Sequence, residues 1–334
     1  MQLLALFIVL FPALSAFATE NLRLFEWHTQ EAMAPLILPV RNNETPEAAA
    51  ERYLKNLEKN PDLMELFEGR RPLLSATRFI PVTQENRESR ALLIANLPKD
   101  YTRNSLRVQN FKRLFQQSRQ TSYILPVNAN LGLSHDETRE LFKHIAEKFP
   151  LMVAMGGDDV DTYLYKKENI HAKNTNPTRD QFEVALIKSY VAQEKGFLLG
   201  VCRGSQITSV ALGYQLIQDI PFHIGAQVAH GNDWHPIQVV ETKFNLLKPF
   251  ADAQMKMTVN SLHHQSVIFK EGGFLQIAAR SHDGVTEATE FKNGRGLLLQ
   301  FHPELMNNEL GAKILWKLVQ QKNQVMAARC AKIF

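Results

Sequence analysis

Cysteine is scarce in this chain of 334 residues, which contains only Cys202 and Cys330. A framework of several disulfide bonds, as in small secreted domains without a large core, is therefore excluded. Cys330 lies near the carboxyl terminus in a polar tail that we expect to fray, so no bond between the two cysteines is predicted. Stability must come from an apolar core, for which a hydrophobic content of 45% is sufficient.

Sustained runs of charge are also missing. The 38 basic and 34 acidic residues are scattered along the chain and leave a formal net charge of +4. Proteins that bind nucleic acid or anionic lipid usually concentrate their basic residues, and this sequence does not. We therefore expect no nucleic-acid partner, and a small or neutral ligand fits the sequence as well as an acidic one.

An apolar run long enough to span a membrane is absent as well. Residues 1–18 carry no charged side chain and end in Ala-Phe-Ala, a small-x-small pattern that suits a signal peptidase. The run is about a turn shorter than the roughly 20 residues of a spanning helix, and Pro12 interrupts it. We expect cleavage before Thr19, export to the periplasm or medium, and no stable membrane association afterwards. Because no Lys or Arg precedes the run, a buried amino-terminal element of a cytoplasmic protein remains the alternative.

Residues 19–89 give few structural signals. Thr45 as N-cap and Pro46 at the first helical position predict a helix that ends near Asn60. The remainder consists of short extended segments broken by prolines. We expect an amino-terminal extension of unknown role that packs on the main domain.

Between residues 90 and 325, strands and helices alternate regularly. Short, wholly apolar runs are typical of strands buried on both faces of a parallel sheet, and capping patterns at Ser134 and Thr178 predict two helix starts. The region is therefore predicted to be one α/β domain with a mostly parallel sheet flanked by helices, followed by a tail at 326–334. The predicted strands lie near residues 91–98, 123–127, 151–155, 197–201, 237–241, 257–259, 274–279, 285–288 and 297–301, and the predicted helices near 105–119, 134–149, 178–195 and 308–321.

Cys202 follows a predicted buried strand and precedes a predicted helix. Gly200 and Gly204 would let the strand, the turn and the helix pack closely at this point. The amino end of a helix lowers the pKa of a thiol from its ordinary value of about 8.5, and the N–H of Arg203 would point to the same place. Cys202 is therefore a candidate nucleophile, with a small buried apolar cysteine as the alternative.

A base for this thiol is predicted at the end of the last strand. Pro303 disfavours a helical conformation at His302, and in an extended segment Glu304 projects to the same side as the imidazole. Glu304 would fix the tautomer of His302 while its other ring nitrogen faces Cys202. The glycine pair after the third strand of the main domain allows the N–H of Gly157 to act as a second oxyanion donor beside that of Arg203.

These motifs together resemble the class I glutamine amidotransferase fold, and more narrowly the peptidase C26 branch typified by γ-glutamyl-γ-aminobutyrate hydrolase. The matching segments occur in the expected order and cover residues 90–321. They are "GGDDVDTYLY" (156–165), "TRDQFEVALI" (178–187), "GVCRGSQITSVALGYQLIQDI" (200–220), "VNSLHHQSV" (259–267), "DGVTEATE" (283–290) and "LQFHPE" (299–304).

The resemblance implies a flavodoxin-like sheet and a catalytic triad of Cys202, His302 and Glu304. It implies hydrolysis of small γ-glutamyl compounds through a thioester acyl-enzyme, without a cofactor. The alternatives are a non-catalytic scaffold and a glutaminase-type amidotransferase subunit, while the leaving amine and the oligomeric state stay open. The residues that the resemblance assigns to the γ-glutamyl group are Gln206, Ser261, His263 and His264.

Five histidines raise the question of a metal site. Their spacings match no metal motif, and neither a cysteine nor a clear carboxylate pattern joins them, so no metal is predicted. We expect His223, His230 and His235 to be loop residues near the mouth of the pocket. The five are His223, His230, His235, His263 and His264.

Overall fold

The computed structural model describes residues 21–30, 32–58, 72–95, 101–126, 131–306 and 309–330, so the expected leader at 1–18 lies outside the described residues. Its strands are β1 (Leu22–His28), β2 (Leu36–Arg41), β3 (Arg78–Pro81), β4 (Arg90–Ala95), β5 (Thr121–Pro126), β6 (Leu151–Ala154), β7 (Phe197–Val201), β8 (Gln215–Ile217), β9 (Gly231–Val239), β10 (Lys256–Leu262), β11 (Ser266–Ile268), β12 (Leu275–Ser281), β13 (Thr286–Phe291) and β14 (Gly296–Leu299). Its helices are α1 (Pro46–Glu58), α2 (Tyr101–Gln117), α3 (His135–Lys148), α4 (Pro177–Gln193), α5 (Arg203–Ala211), α6 (Ile220–His223) and α7 (Glu309–Cys330). Within these ranges, no helix combines the length and the apolar character needed to cross a bilayer.

Twelve of the described strands form one sheet in the order β10-β9-β12-β13-β14-β7-β6-β4-β5-β2-β1-β3. The six strands from β14 to β2 are parallel, and the strands outside them are antiparallel. Every residue of β4, β6 and β7 is buried, which is why these strands read as continuous apolar runs. The predicted α/β sheet with parallel central strands is confirmed.

The helices cover both faces of the sheet. α3, α4 and α5 pack side by side, whereas α2 packs against α7 and against β4 and β5. The connection from β4 to β5 and the connection from β5 to β6 cross the sheet in opposite directions. Because such crossovers are right-handed, α2 lies on the face of the sheet opposite α3 and α4.

The three neighbouring parallel strands β6, β7 and β14 bring the segments that contain Gly157, Cys202 and His302 to one edge of the sheet. Ala154 of β6 lies opposite Gly200 of β7, and Val201 lies opposite Leu299 of β14. The chain beyond each of these strand ends therefore emerges at the same carboxyl edge, where ligands of such sheets bind.

The amino-terminal region is attached through the sheet itself. β2 pairs in parallel with β5 at Leu36 and Ile124, and β1 pairs with both β2 and β3. The Arg41 guanidinium also donates to Glu137 of α3, with an Nε to Oε1 distance of 2.6 Å. The expected extension thus contributes three edge strands, a continuity that its proline-broken sequence did not reveal.

Helix ends agree with prediction in some places and differ in others. The Ser134 capping box is confirmed: Glu137 N–H donates to Ser134 Oγ at 3.2 Å, and Ser134 N–H donates to Glu137 Oε2 at 2.7 Å. The cap predicted at Thr178 is wrong, since Asn176 accepts from the N–H of Arg179 at 3.1 Å and a proline at the first helical position starts α4 earlier.

The last helix is longer than predicted. α7 continues to Cys330, so the expectation of a fraying tail is wrong as far as that residue. Lys322 accounts for part of the extension, because its buried ammonium donates to Gln120 Oε1 at 2.8 Å and to the carbonyl oxygen of Glu88. These bonds hold the second half of α7 against the main sheet.

Candidate active site

Cys202 occupies the turn between β7 and α5 in a strained backbone conformation, with φ 52° and ψ −114°. Such a turn projects the side chain of a nucleophile at the top of a sheet. A Cβ added to Gly204 would lie 1.8 Å from the carbonyl oxygen of Ala154, so only glycine lets α5 approach β6 this closely. The sequence thus places the thiol, which is 7% exposed, at the amino end of α5.

His302 lies three residues beyond β14, next to Cys202. Its Nδ1–H donates to Glu304 Oε1 at 2.7 Å, and both side chains are fully buried. Asn260 of β10 fixes the backbone of His302 by donating to its carbonyl and accepting from its N–H, each at 2.9 Å. Asn260 had no role in the sequence analysis, although it lies in the matched segment 259–267.

The electrostatics of the two side chains favour a thiolate beside an imidazolium. Burial would raise the pKa of Cys202, but the charge of His302 and a hydrogen bond with it hold that pKa below its ordinary value, with help from Arg107 and the N–H of Arg203. Burial would lower the pKa of His302, but Glu304 and the Cys202 sulfur raise it to about 9. A thiolate in this state is the reactive form of cysteine.

Arg107 of α2 is a site residue that the sequence analysis missed. A Cβ on Gly156 would lie 3.0 Å from His302 Cε1 and 3.3 Å from Arg107 Nη1. The imidazole and the guanidinium therefore both pack against this glycine. The positive charge of Arg107 helps to lower the pKa of Cys202. A lone arginine in an amphipathic helix carries no sequence signal of such a role.

The two predicted oxyanion donors are the N–H groups of Gly157 and Arg203, and both residues adjoin a buried ion-pair network. The N–H of Arg203 is among the groups that lower the pKa of Cys202. Gly157 lies in the loop after β6, and its Cα faces Arg179, since an added Cβ would lie 2.4 Å from Arg179 Nη1. The loop and the start of α5 are therefore both in contact with side chains of α4.

That network consists of Arg179, Asp180 and Glu183 of α4 and the guanidinium of Arg203. Arg203 donates to both carboxylates, and Arg179 Nε donates to Glu183 Oε1 at 2.7 Å. Asp180 Oδ2 accepts from the N–H of Asp161 at 2.8 Å, which ties the loop after β6 to the same helix. Burial would raise the pKa of Glu183, but the two arginines lower it, so the carboxylate stays ionised. The matched segment 178–187 thus contacts both the loop after β6 and the start of α5, which carry the two predicted oxyanion donors.

Two residues assigned to the substrate by resemblance are occupied within the protein. Gln206 Nε2 donates to the Gln265 carbonyl at 3.1 Å and to Gln300 Oε1 at 3.2 Å. Ser261 Oγ donates to the His230 carbonyl at 2.8 Å. The bonds of Gln206 leave it only its amide oxygen for a ligand.

The adjacent histidines 263 and 264 face different surroundings. His264 lies between two carboxylates, 3.0 Å from Asp159 Oδ2 and 3.3 Å from Asp219 Oδ2, and about a third of its side chain is exposed. Hydrogen bonding to Asp159 is the main reason that its pKa is raised. His263 is buried beside Glu287, and burial lowers its pKa to about 4, so that its imidazole is neutral.

The expectation that three histidines are loop residues near the pocket mouth is wrong: His223 lies on α6 and His235 on β9, and His230, which does lie in a loop, is buried. His223 is exposed on α6, but His230 and His235 are buried next to each other, with ring centroids 4.8 Å apart. Glu287 of β13 lies beside both rings and supplies the carboxylate that the sequence did not reveal. The cluster was missed because strand pairing, not spacing along the chain, brings its members together.

A cavity of about 890 Å³ lies at the other end of the parallel strands. Its lining includes Glu194 at the end of α4, Arg295 just before β14, and Lys317 of α7. Because β14 runs parallel to β7, this cavity is remote from Cys202 along the strand direction. It contributes no group to the candidate active site.

Known proteins are similar to the part of the chain that contains these candidate site residues. The family model for peptidase C26 matches residues 101–304. The glutamine amidotransferase-like protein YvdE of Lactococcus lactis is 35% identical over 199 residues, which are 59% of this chain and 79% of YvdE. Protein NtpR of Enterococcus hirae is 32% identical over 210 residues, covering 60% of this chain and 82% of NtpR.

The solved structure of a GMP synthase component from Thermoplasma acidophilum matches the fold with a TM-score of 0.50. The match covers 72% of this chain and 96% of that protein at 14% sequence identity. At this identity the likeness supports the fold alone.

Proposed function

Because the chain belongs to the peptidase C26 family, within the class I glutamine amidotransferase-like superfamily, we propose that it hydrolyses the γ-glutamyl amide bond of small γ-glutamyl compounds. Membership of the family gives a function of the hydrolase or amidotransferase-like type. The observation that carries the proposal is the Cys202 thiol at the strained start of α5, beside the buried pair of His302 and Glu304.

In the first half of the reaction, the Cys202 thiolate attacks the γ-carbonyl carbon. The resulting oxyanion is stabilised by backbone N–H groups, for which Arg203 and Gly157 are the candidates. The His302 imidazolium gives its proton to the departing amine, and a thioester forms on Cys202. Glu304 holds the imidazole in the required tautomer during this transfer.

In the second half, the neutral His302 takes a proton from water as that water attacks the thioester carbonyl. The thiolate leaves, glutamate is released, and His302 is again an imidazolium. Each proton that the imidazole gives in the first half is returned in the second, so the cycle needs neither metal nor organic cofactor.

Selectivity for the γ-glutamyl group is supported by charge near the thiol. The carbonyl oxygen of Leu262 lies 4.0 Å from Cys202 Sγ, and two residues further His264 is held by Asp159 and Asp219. These carboxylates offer favourable charge for an α-ammonium, and Arg107 offers it for an α-carboxylate. The free groups of a γ-linked glutamate would be recognised in this way.

The direct test is turnover of a chromogenic γ-glutamyl anilide by purified protein, with glutamine as a second substrate. We expect Cys202→Ala to lower kcat/KM for the anilide by at least about a thousandfold, as removal of a nucleophile does. Cys330→Ala is the matched control and should retain activity, because residue 330 ends α7, whereas the proposed nucleophile starts α5.

The other outcomes separate the alternatives. Release of ammonia from glutamine only in the presence of a synthetase would favour an amidotransferase subunit. No turnover of either compound, together with no alkylation of Cys202 by iodoacetamide, would favour a scaffold that has kept the fold without catalysis. A substrate panel read by mass spectrometry would then identify the leaving amine of an active protein.

A further inference from the structure

A second cluster of titratable side chains lies in the antiparallel part of the sheet. It consists of His230, just before β9, His235 of β9, His263, just after β10, and Glu287 of β13. No side chain of the four is more than 6% exposed, and that of Glu287 is fully buried. Glu287 Oε1 lies 3.3 Å from His230 Nδ1, 3.4 Å from His235 Nε2 and 3.6 Å from His263 Nε2.

Each imidazole uses its other ring nitrogen as a donor to an oxygen outside the cluster. A neutral imidazole that donates through one nitrogen presents a lone pair at the other. The inward-facing nitrogens of His235 and His263 are therefore acceptors, and so is that of His230 in its neutral form. The outward bonds run from His235 Nδ1 to the Ala229 carbonyl at 3.1 Å, from His263 Nδ1 to the Gln265 carbonyl at 3.1 Å, and from His230 Nε2 to Asp283 Oδ2 at 3.0 Å.

Four acceptors thus converge where water is excluded. Among the described residues, none of the three inward nitrogens and neither oxygen of Glu287 has a hydrogen bond of good geometry. Buried polar groups are normally satisfied, and a buried charge is normally paired or bound to a metal. One proton could serve only one of the imidazole faces, whereas one cation would serve all four groups.

The spacing suits a small tetrahedral ion. Bonds of about 2.0–2.1 Å from Zn²⁺ to nitrogen and oxygen place ligand atoms roughly 3.4 Å apart in a tetrahedron. The separations of 3.3 and 3.4 Å from Glu287 Oε1 to His230 Nδ1 and His235 Nε2 agree with this value, and the ligand atoms of these three residues all lie within 4.8 Å of one another. The pairing of His230 with Asp283 is also the arrangement in which a carboxylate orients a metal-bound imidazole.

We propose that His230, His235 and Glu287, whose ligand atoms all lie within 4.8 Å of one another, bind a Zn²⁺ ion with a structural role. His263 Nε2 lies 3.6 Å from Glu287 Oε1 but outside that group, so it would shift toward the ion to become the fourth ligand and close the site, as in structural zinc. The ion would clamp β9, β10 and β13 together from one point. The prediction that the chain holds no metal is revised accordingly.

The proposed zinc site would hold β10, the strand that contacts both His302 and Cys202. β10 carries Asn260, which fixes the backbone of His302, and Leu262, whose carbonyl lies 4.0 Å from Cys202 Sγ. His263 is the next residue, so its ligation would anchor this strand end. Loss of the ion should loosen the wall of the active site without removing any group that reacts.

The test begins with the metal content of the full chain, purified without chelator and then incubated with Zn²⁺ and desalted. We expect about one zinc per chain, a lower Tm after removal of the ion with a strong chelator, and recovery of the Tm on adding Zn²⁺ back. Replacement by Co²⁺ should give the intense visible absorption of a tetrahedral site. These readings need no substrate, so they are independent of the proposed hydrolase activity.

Variants identify the ligands. Glu287→Gln and His235→Asn should each reduce bound zinc from about one to below about one-tenth per chain. Asp283→Asn, which changes the carboxylate that bonds to His230 as well as to Ser281 and Val285, should weaken zinc affinity by about 10–100-fold. His223→Asn changes an exposed histidine outside the cluster and should keep the full metal content.

The proposal is overturned if wild-type protein holds less than about one-tenth of a zinc per chain after incubation and gives no visible Co²⁺ spectrum. Protonated His230, bridging Asp283 and Glu287, would then be the resident charge. Equal zinc content in wild type and in the Glu287→Gln and His235→Asn variants would also overturn it. Because the wild-type readings stand alone, a variant that does not fold leaves the test intact.

Discussion

At the scale of single residues, the site depends on how strongly buried charges act on each other. Cys202 and His302 are both buried, and burial alone would keep each of them neutral. Their mutual interaction and the Glu304 carboxylate reverse this preference, so the charged pair exists without substrate. The thiol of such a pair is reactive in a pH range set by its neighbours.

The pH dependence of kcat/KM follows from these shifts. The value of kcat/KM should rise with pH as Cys202 loses its proton, at a pH below the ordinary thiol pKa of about 8.5. It should fall again near pH 9, where His302 loses its own proton. Arg107→Gln removes a positive charge that lowers the pKa of Cys202, so the acid limb should move to higher pH. A pH series of kcat/KM on the γ-glutamyl anilide measures both limbs.

Arg107→Lys is the matched control, since it keeps the charge and should leave the acid limb near its wild-type position. An acid limb that is the same in Arg107→Gln as in wild type would show that this guanidinium does not act on the thiol. A loss of activity at every pH with unchanged limbs would instead indicate a contact with substrate.

The candidate residues predicted from the sequence are those whose proposed roles depend on local geometry. Cys202 is marked by its position between a strand and a helix, and His302 and Glu304 by their spacing of two. The extended segment predicted for that spacing is wrong, because Glu304 lies in a 3-10 turn, Pro303–Leu305, that begins after His302. Arg107 and Asn260 could not be found in this way, because each acts across space from another element. Their geometry is known only when the sheet order is known.

At the scale of elements, capping and close packing decide where each helix begins. Ser134 and Glu137 bond reciprocally at the start of α3, and the same Glu137 also accepts from Arg41 of β2. The start of this helix is therefore part of the join between the amino-terminal strands and the rest of the molecule. A capping box is readable from sequence because its partners are three residues apart; the bond to Arg41 is not.

Ser134→Ala should lower the free energy of unfolding by about 1 kcal/mol, because the N–H of Glu137 loses its acceptor. Ser134→Asp keeps an oxygen at the cap and should be nearly neutral. Urea unfolding followed by circular dichroism measures both changes. Equal stability of the alanine and aspartate variants would contradict a capping role for the hydroxyl.

The glycine at the start of α5 shows why packing determines an element that propensity alone would not fix. Gly204 is a poor helix former, yet α5 passes so close to β6 that no side chain fits at this position. The sequence pattern could suggest this contact from the pair Gly200 and Gly204. It could not show that the buried ion pairs of α4 hold the other side of α5.

At the scale of the whole molecule, one continuous sheet joins regions that the sequence divides. The regular alternation after residue 90 predicted the parallel centre, since buried parallel strands read as apolar runs. Edge strands carry weaker patterns, and their partners cannot be inferred from periodicity. The amino-terminal strands and the antiparallel group of β9, β10, β12 and β13 therefore became clear only from the pairing. The histidine cluster belongs to that second group and was hidden for the same reason.

Deletion of residues 1–84 tests whether the amino-terminal strands belong to the folding unit. Removing β1 to β3 exposes the edge of β5 and the apolar surface that Trp27 and Leu36 cover, both of which are at most 1% exposed. A long unpaired apolar edge promotes association, so the shortened chain should aggregate or unfold at a lower temperature than the full chain. Deletion of residues 1–18 alone is the matched control and leaves every described contact in place. Gel filtration and thermal unfolding compare the three proteins: a monomeric shortened chain with the Tm of the control would mean that the parallel centre is stable alone, and that the first strands serve the site or a partner instead of the fold.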